Sequence, residues 1–142
     1  MQNCIFRYNL LDAWGRDISE IKIYDNETNN VSCMNVNNKK MASANYTVSK
    51  ENIEKIKSLL CNDKLSELNE LESPMVLDGV INRFEFEVND KNKVISGFNL
   101  WGFEKDSFKY APNAKILYKV FNNIKNICIE NGVPKIYFNL GG

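Results

Sequence analysis

A chain of 142 residues, of which 44% are apolar and 25% charged, has the length and composition of an ordinary globular domain. Its 18 basic and 18 acidic side chains cancel, and it contains no histidine. The lack of imidazole argues against catalytic triads and against histidine-ligated metal sites. We therefore expect one soluble domain over residues 1–142, with no cofactor and no metal.

The first third of the chain contains four short segments that are rich in β-forming residues. They are residues 4–11, 18–25, 31–36 and 41–48. Asn and Asp residues, which favour tight turns, lie between them. Because strands that follow one another through short turns usually pair, we predict a four-stranded antiparallel meander.

A helix is predicted next, over residues 50–61. Ser49 can cap its first turn, and apolar residues recur at helical spacing behind it. The following residues 62–90 carry eight acids and two bases. Leucines at three-residue intervals predict a short acidic helical turn there, ending before Pro74. We interpret its apolar side as facing the core, and the alternative is that this acidic segment docks a basic partner.

Strict alternation of apolar and polar residues then predicts a central β-hairpin. Phe84, Phe86 and Val88 fall on one face of its first strand, so that strand is half buried. If residues 89–93 form the loop, the second strand covers residues 94–101 and Val88 lies opposite Val94.

The other face of this hairpin is the candidate binding surface. The register above sets Arg83 opposite Asn99 and brings Trp101 to the rim, and an aromatic loop follows. A guanidinium fork, a carboxylate, an amide and broad aromatic rings suit protein recognition. The alternative is a solvated sheet face with ordinary cross-strand pairs and aromatic residues that cover the core. The predicted binding residues are Arg83, Glu85, Asn99, Trp101, Phe103 and Tyr110.

The last part of the chain predicts a helix and a strand. An apolar stripe marks the helix at residues 113–131, which Asn131, Gly132 and Pro134 end. Residues 135–140 are rich in β-formers and predict a closing strand, with Ile136, Phe138 and Leu140 facing inward. The predicted fold class is α+β: a largely antiparallel sheet of meander, central hairpin and C-terminal strand, with two main helices on one face.

The four cysteines are far apart in the sequence. Their spacing fits neither a zinc knuckle nor a redox pair, so we predict four small core side chains. The first residues do not resemble a signal peptide, which favours the cytoplasm, although a mature secreted fragment with two disulfides is the alternative. The four cysteines are Cys4, Cys33, Cys61 and Cys128.

No apolar run in the sequence is long enough to span a membrane.

Two functions are compatible with these patterns. The first is a small protein-binding domain, such as a bacterial inhibitor, immunity or adaptor protein. It is supported by the lack of a nucleophile–base motif or phosphate loop and by the hairpin surface. A pI near 6.3 without a basic cluster argues against nucleic acid. The second is a ligand-binding domain or carboxylate-dependent enzyme, with a cavity between sheet and helices.

Overall fold

The computed structural model describes residues 4–12, 14–37, 40–61, 65, 68, 81–88, 91–98 and 112–138. They form an α+β arrangement, as predicted. The elements, in chain order, are β1 (Cys4–Leu11), β2 (Asp17–Tyr24), β3 (Asn30–Asn37), β4 (Lys40–Thr47), α1 (Lys50–Leu60), β5 (Ile81–Val88), β6 (Lys91–Phe98), α2 (Pro112–Glu130) and a 3-10 helix (Lys135–Phe138).

The six strands form one antiparallel sheet in the order β4-β3-β2-β1-β5-β6. The predicted meander and hairpin are both confirmed, and they meet where β5 pairs with β1. The first strand of the chain therefore lies inside the sheet. Tyr8 on β1 is the partner of Ile21 on one side and of Phe84 on the other.

The core lies between one face of the sheet and the two helices. Phe121 of α2 is the centre of a ring cluster, with ring centroids 4.9 Å from Tyr8, 5.3 Å from Phe84 and 6.2 Å from Phe6. Helix α1 adds buried aliphatic side chains to the same core, namely Ile53, Ile56 and Leu60. In the part of the chain that the structure describes, aromatic rings thus occupy the space between β1, β5 and α2.

Both helices have the ends that the sequence predicts. The side chain of Ser49 accepts a 3.2 Å hydrogen bond from the backbone N–H of Asn52, which caps α1. At the end of α2, Val133 N donates to Cys128 O, and Gly132 adopts a left-handed φ of 96°. This is the Schellman arrangement, in which glycine avoids the steric cost of a Cβ.

The predicted register of the β5–β6 hairpin is wrong. Arg83 lies opposite Ser96 and Phe84 opposite Ile95, and two residues, not five, separate the strands. The observed pairing is shifted along β6 by three residues from the predicted one, since Val88 lies opposite Lys91 and not Val94. Since side chains alternate with a period of two, an odd shift exchanges the faces of β6. Ile95 is therefore buried, whereas Val94, predicted to face the core, is 45% exposed.

The predicted C-terminal strand is also wrong, because Lys135–Phe138 is a 3-10 helix. Its turn is closed by a 3.2 Å hydrogen bond from Tyr137 N to Pro134 O. The turn lets adjacent residues both contact the body of the protein: Tyr137 meets Tyr46 at 6.3 Å, and Phe138 meets Phe121 at 6.0 Å. An extended strand would point them to opposite faces.

Two smaller predictions have mixed outcomes. Phe138 is buried as predicted, but Ile136 is 60% exposed, and Leu140 lies outside the described residues. In the predicted acidic turn, Leu65 and Leu68 are buried, and the other residues of that turn lie outside the described residues.

The cysteines divide into two pairs. Cys33 and Cys128 are buried as predicted, whereas the exposure of Cys4 and Cys61 contradicts the prediction of four core side chains. Among the helices that the structure describes, none is both long and apolar enough to cross a membrane.

Candidate functional site

The face of the sheet opposite the helices carries a band of polar side chains, which we call the polar ribbon. It crosses three neighbouring strands, because pairing places Arg7 of β1 beside Lys22 of β2 and Glu85 of β5. Strand alternation directs these side chains away from the core face. The polar ribbon consists of Arg7, Asn9, Asp17, Glu20, Lys22, Arg83 and Glu85.

Glu20 is the most highly bonded member of the polar ribbon. Its Oε2 accepts from Arg7 Nε at 2.9 Å, from Arg7 Nη2 at 2.6 Å and from Asn9 Nδ2 at 2.9 Å. Lys22 Nζ lies 3.3 Å from its Oε1. The side chain is only 14% exposed. Charge-assisted bonds of this kind fix the orientation of both partners.

These contacts keep Glu20 and Arg7 charged. Burial alone would raise the pKa of Glu20, but the hydrogen bonds from Asn9 and Arg7 and the nearby positive charges hold it below its ordinary value. Burial also opposes the charged form of Arg7, yet the hydrogen bond and charge of Glu20 raise its pKa. Glu20 is thus arranged as a fixed anion and not as a proton donor at neutral pH.

Arg83 is held more loosely than Arg7. Its Nη2 lies 3.6 Å from Glu85 Oε2, and the same oxygen accepts a 3.0 Å hydrogen bond from Asn92 Nδ2. The side chain of Arg83 is 31% exposed. A guanidinium carries five N–H donors, so Arg83 can bond to a partner while it keeps this contact.

Asn9 sits at the centre of the polar ribbon and is 2% exposed. Its Nδ2 bonds to both Asp17 and Glu20. Its Oδ1 is buried and, among the described residues, has no hydrogen-bond partner. The amide therefore ties β1 to β2 by its donor side alone.

The hairpin loop between β1 and β2 carries an exposed tryptophan in its middle. Trp14 is 82% exposed, and the guanidinium of Arg16 lies 5.6 Å from its ring centroid, a cation–π distance. Gly15 takes a left-handed φ of 82°, which a side chain would disfavour. We call Asp12, Trp14, Gly15 and Arg16 the Trp14 tip. It continues directly into Asp17 of the polar ribbon.

Asp12 fixes the backbone of the Trp14 tip. Its Oδ1 accepts 2.9 Å hydrogen bonds from the N–H groups of Trp14 and Arg16, and its Oδ2 accepts from Arg16 Nε at 2.8 Å. Two backbone bonds close the loop further, from Asp12 N to Arg16 O and from Gly15 N to Asp12 O. The hydrogen bonds from Arg16 and Trp14 hold the pKa of Asp12 below its ordinary value.

The structure describes two of the six predicted binding residues. Arg83 and Glu85 lie together on the face opposite the helices. The predicted pairing of Arg83 with Asn99 does not occur, because Ser96 is its partner. The other four fall outside the described residues, so their part of the surface stays a prediction: Asn99, Trp101, Phe103 and Tyr110.

Sequence reasoning missed Trp14, Arg7 and Glu20. A signal existed for Trp14, since a tryptophan within a predicted turn and next to glycine has few ways to reach a core. Arg7 and Glu20 had no comparable signal. Their meeting depends on the register of β1 with β2, which includes an irregularity on each side of the contact.

The site offers recognition groups and fixed charges. Among the described residues, no group of three or more Cys, Asp or Glu side chains is placed to hold a metal ion. No protein-family model matches the chain, and no curated protein matches it.

Proposed function

We propose that this protein is a protein-binding domain that contacts its partner through the Trp14 tip and the polar ribbon that follows it. The observation that carries the proposal is Trp14, a residue that is 82% exposed on a loop whose backbone N–H groups donate hydrogen bonds to Asp12. Tryptophan and arginine dominate the energetics of protein interfaces. Trp14 and Arg16 supply both at one point.

The expected gain from burying this ring is large. A tryptophan side chain buries about 200 Å² at an interface. At about 25 cal/mol per Å², the gross gain is about 5 kcal/mol, before the costs of association. Because the Asp12 hydrogen bonds already order the loop, binding loses less conformational entropy here than in a mobile loop.

The polar ribbon is proposed to select the partner. Charges across an interface mainly control specificity and association rate. Arg7 and Glu20 bond to each other, so they present a fixed pattern, whereas Arg83 keeps donors for a carboxylate of the partner. A partner that fits has an apolar pocket for Trp14 and a carboxylate near it for Arg16.

Inhibitor, immunity and adaptor proteins act through binding alone, and we propose a role of this kind, in the cytoplasm of a bacterium. The partner is another protein and not nucleic acid, since the chain has no net charge. In the part of the chain that the structure describes, aromatic rings fill the space between β1, β5 and α2, which does not support the alternative of a ligand cavity at that place.

The test is affinity capture from the source cells with wild-type protein and two single variants. Trp14→Ala removes the proposed anchor, and Ile136→Ala removes an apolar side chain of comparable exposure on the 3-10 helix. We expect wild type and Ile136→Ala to retain the same partner, and Trp14→Ala to lose it while its circular dichroism is unchanged. Equal capture by Trp14→Ala, or no specific protein captured by wild type, contradicts the proposal.

A second pair of variants tests the surface that the sequence predicts. The double variant Arg83→Ala with Trp101→Ala is compared with Glu27→Ala, an exposed residue in the β2–β3 turn. Loss of the partner in the double variant alone extends the interface to the β5–β6 hairpin. If the double variant retains the partner, the β5–β6 hairpin is not part of the interface and the Trp14 tip is the contact.

A further inference from the structure

A groove of about 610 Å³ lies between α1 and α2. Its α1 side is formed by residues between Glu51 and Leu59, and its α2 side by residues between Asn123 and Glu130. On each helix these residues recur three or four positions apart, so they form one stripe along two turns. At 1.5 Å per residue the groove is about 12 Å long.

The floor of the groove is apolar. Leu59 and Ile127 line it, and both are only partly buried against the core. They are not among the fully buried residues of the helices, which face the sheet. Two aliphatic side chains from neighbouring helices therefore face a space that a further apolar group can fill.

The rim of the groove is acidic. The lining contains three acids and one base: Glu51, Glu54, Glu130 and Lys55. Glu54 also lies 3.6 Å from Lys57, so part of its charge is already compensated. The lining as a whole nevertheless carries three carboxylates and one ammonium, an excess of negative charge that favours a cationic partner at low ionic strength.

We propose that this groove binds a basic amphipathic helix of a partner protein, as a third helix beside α1 and α2. Packed helices lie 8–10 Å apart, and the groove has room for about two turns of one. The partner's apolar stripe covers Leu59 and Ile127, and its Lys or Arg side chains meet the acidic rim. The groove is a separate surface from the Trp14 tip, so this inference does not depend on the proposed function.

The direct probe is a fluorescently labelled synthetic helix of about 14 Leu and Lys residues, with the leucines on one face. Fluorescence anisotropy with the full-length protein in 50 mM salt is expected to show saturable binding, weakening at least tenfold in 500 mM salt. A peptide of the same composition with the apolar stripe scrambled, and a Leu/Glu peptide, are expected to bind at least tenfold more weakly.

Charge reversal locates the site. We expect the double variant Glu51→Lys with Glu130→Lys to bind the Leu/Lys peptide at least tenfold more weakly than wild type. The matched control Glu27→Lys with Glu87→Lys makes the same change in net charge at exposed residues outside the groove, and it is expected to weaken the peptide less than threefold. An equal loss in both double variants overturns the proposal, because only a nonspecific charge effect would be left.

The groove itself is tested by two variants that leave its three carboxylates in place. Leu59→Ser removes an apolar contact, and Asn126→Arg places bulk and positive charge in the groove at an exposed position that is independent of the core. Both variants are expected to bind the Leu/Lys peptide at least fivefold more weakly than wild type. If Leu59→Ser unfolds, Asn126→Arg decides alone. Unchanged binding to Asn126→Arg, or no binding of the Leu/Lys peptide to wild type, overturns the proposal.

Discussion

The hydroxyl of Tyr8 donates a 2.9 Å hydrogen bond to Oδ1 of Asn82 inside the core, where it joins β1 to β5 across 74 positions of sequence. Both residues are fully buried. Buried polar groups are costly unless they are bonded, so this contact favours the alignment in which β5 lies against β1. The hydroxyl itself therefore has a measurable stability effect.

Tyr8→Phe is expected to lower the free energy of unfolding by about 1–3 kcal/mol, because the buried hydrogen bond from the Tyr8 hydroxyl to Asn82 is lost. Urea denaturation followed by circular dichroism measures the change. Tyr24→Phe, at the partly exposed end of β2, is the matched control, with an expected change within about 0.5 kcal/mol. A Tyr8→Phe protein as stable as wild type would show that the hydrogen bond contributes nothing net.

Phe121→Ala is expected to be strongly destabilising, since its ring contacts β1, β5 and the 3-10 helix at once. Truncation of a buried phenylalanine costs about 3–5 kcal/mol. Thermal and urea unfolding measure the loss. Lys119→Ala, exposed on the same helix, is expected to change stability by less than about 0.5 kcal/mol. A cost below about 1 kcal/mol for Phe121→Ala would contradict the ring cluster.

Glu20 is expected to make stability dependent on pH in the acid range. Its folded-state pKa lies below the ordinary value of 4.5, so its contribution is complete above the unfolded-state pKa. The contribution is lost as the pH falls through the folded-state value. We expect Glu20→Gln to cost about 1–3 kcal/mol at pH 7 and progressively less below about pH 4. Urea titrations from pH 7 to pH 2.5 measure the difference.

Glu87→Gln is the control for that series, since Glu87 is exposed on β5. Its difference from wild type is expected to stay near zero throughout. If the Glu20→Gln difference were constant with pH, the ion pair with Arg7 would not be the source of the stability.

The four thiols are expected to react in two classes. Burial raises the pKa of Cys33 and of Cys128 to about 12, so both thiols stay protonated and shielded at neutral pH. Cys4 and Cys61 are exposed, but partial burial of its sulfur raises the pKa of Cys4 as well, so we expect Cys4 to react more slowly than Cys61. In a thiol-reagent assay at pH 8, we expect two thiols to react in the native protein and all four in denaturant.

Cys61→Ser identifies the classes in the thiol assay, since it is expected to reduce the native count from two to one. Four thiols reacting at one rate in the native protein would show that Cys33 and Cys128 are not protected.

The strands and helices could be predicted from sequence because their signals are local. The β1 pattern, the Ser49 cap and the Gly132 end each depend on a few neighbouring residues, and the structure has all three. Strand order is also local where turns are short, which explains why the meander was predictable. The place of β5 beside β1 was not predictable, since no nearby residue specifies it.

The hairpin register failed because β6 carries both polar and apolar residues on each of its faces. Val94 and Ile95 are adjacent, so either can be matched to the Phe84 face, and pairing like with like chose Val94. The structure buries Ile95 and leaves Val94 exposed beside Glu85. A period of two fixes register only when one face is clearly polar.

The candidate site was predictable only in part, for the same reason. Arg83 and Glu85 share a face because they are two residues apart in one strand, and that was visible in the sequence. Their neighbours Arg7 and Glu20 come from strands far away in the chain. The contacts of a sheet face therefore follow from long-range pairing, which the sequence pattern does not specify.

The central position of β1 has a consequence for synthesis on the ribosome. The meander needs only the first 47 residues, whereas the other edge of β1 has to wait for β5, whose residues lie 70 to 80 positions later, as in Leu11 with Ile81 and Phe6 with Phe86. Until then, a nascent chain exposes the unpaired backbone of β1 together with Phe6 and Tyr8. We expect arrival of the β5–β6 hairpin to be the slow, aggregation-sensitive step, because pairings distant in sequence form late.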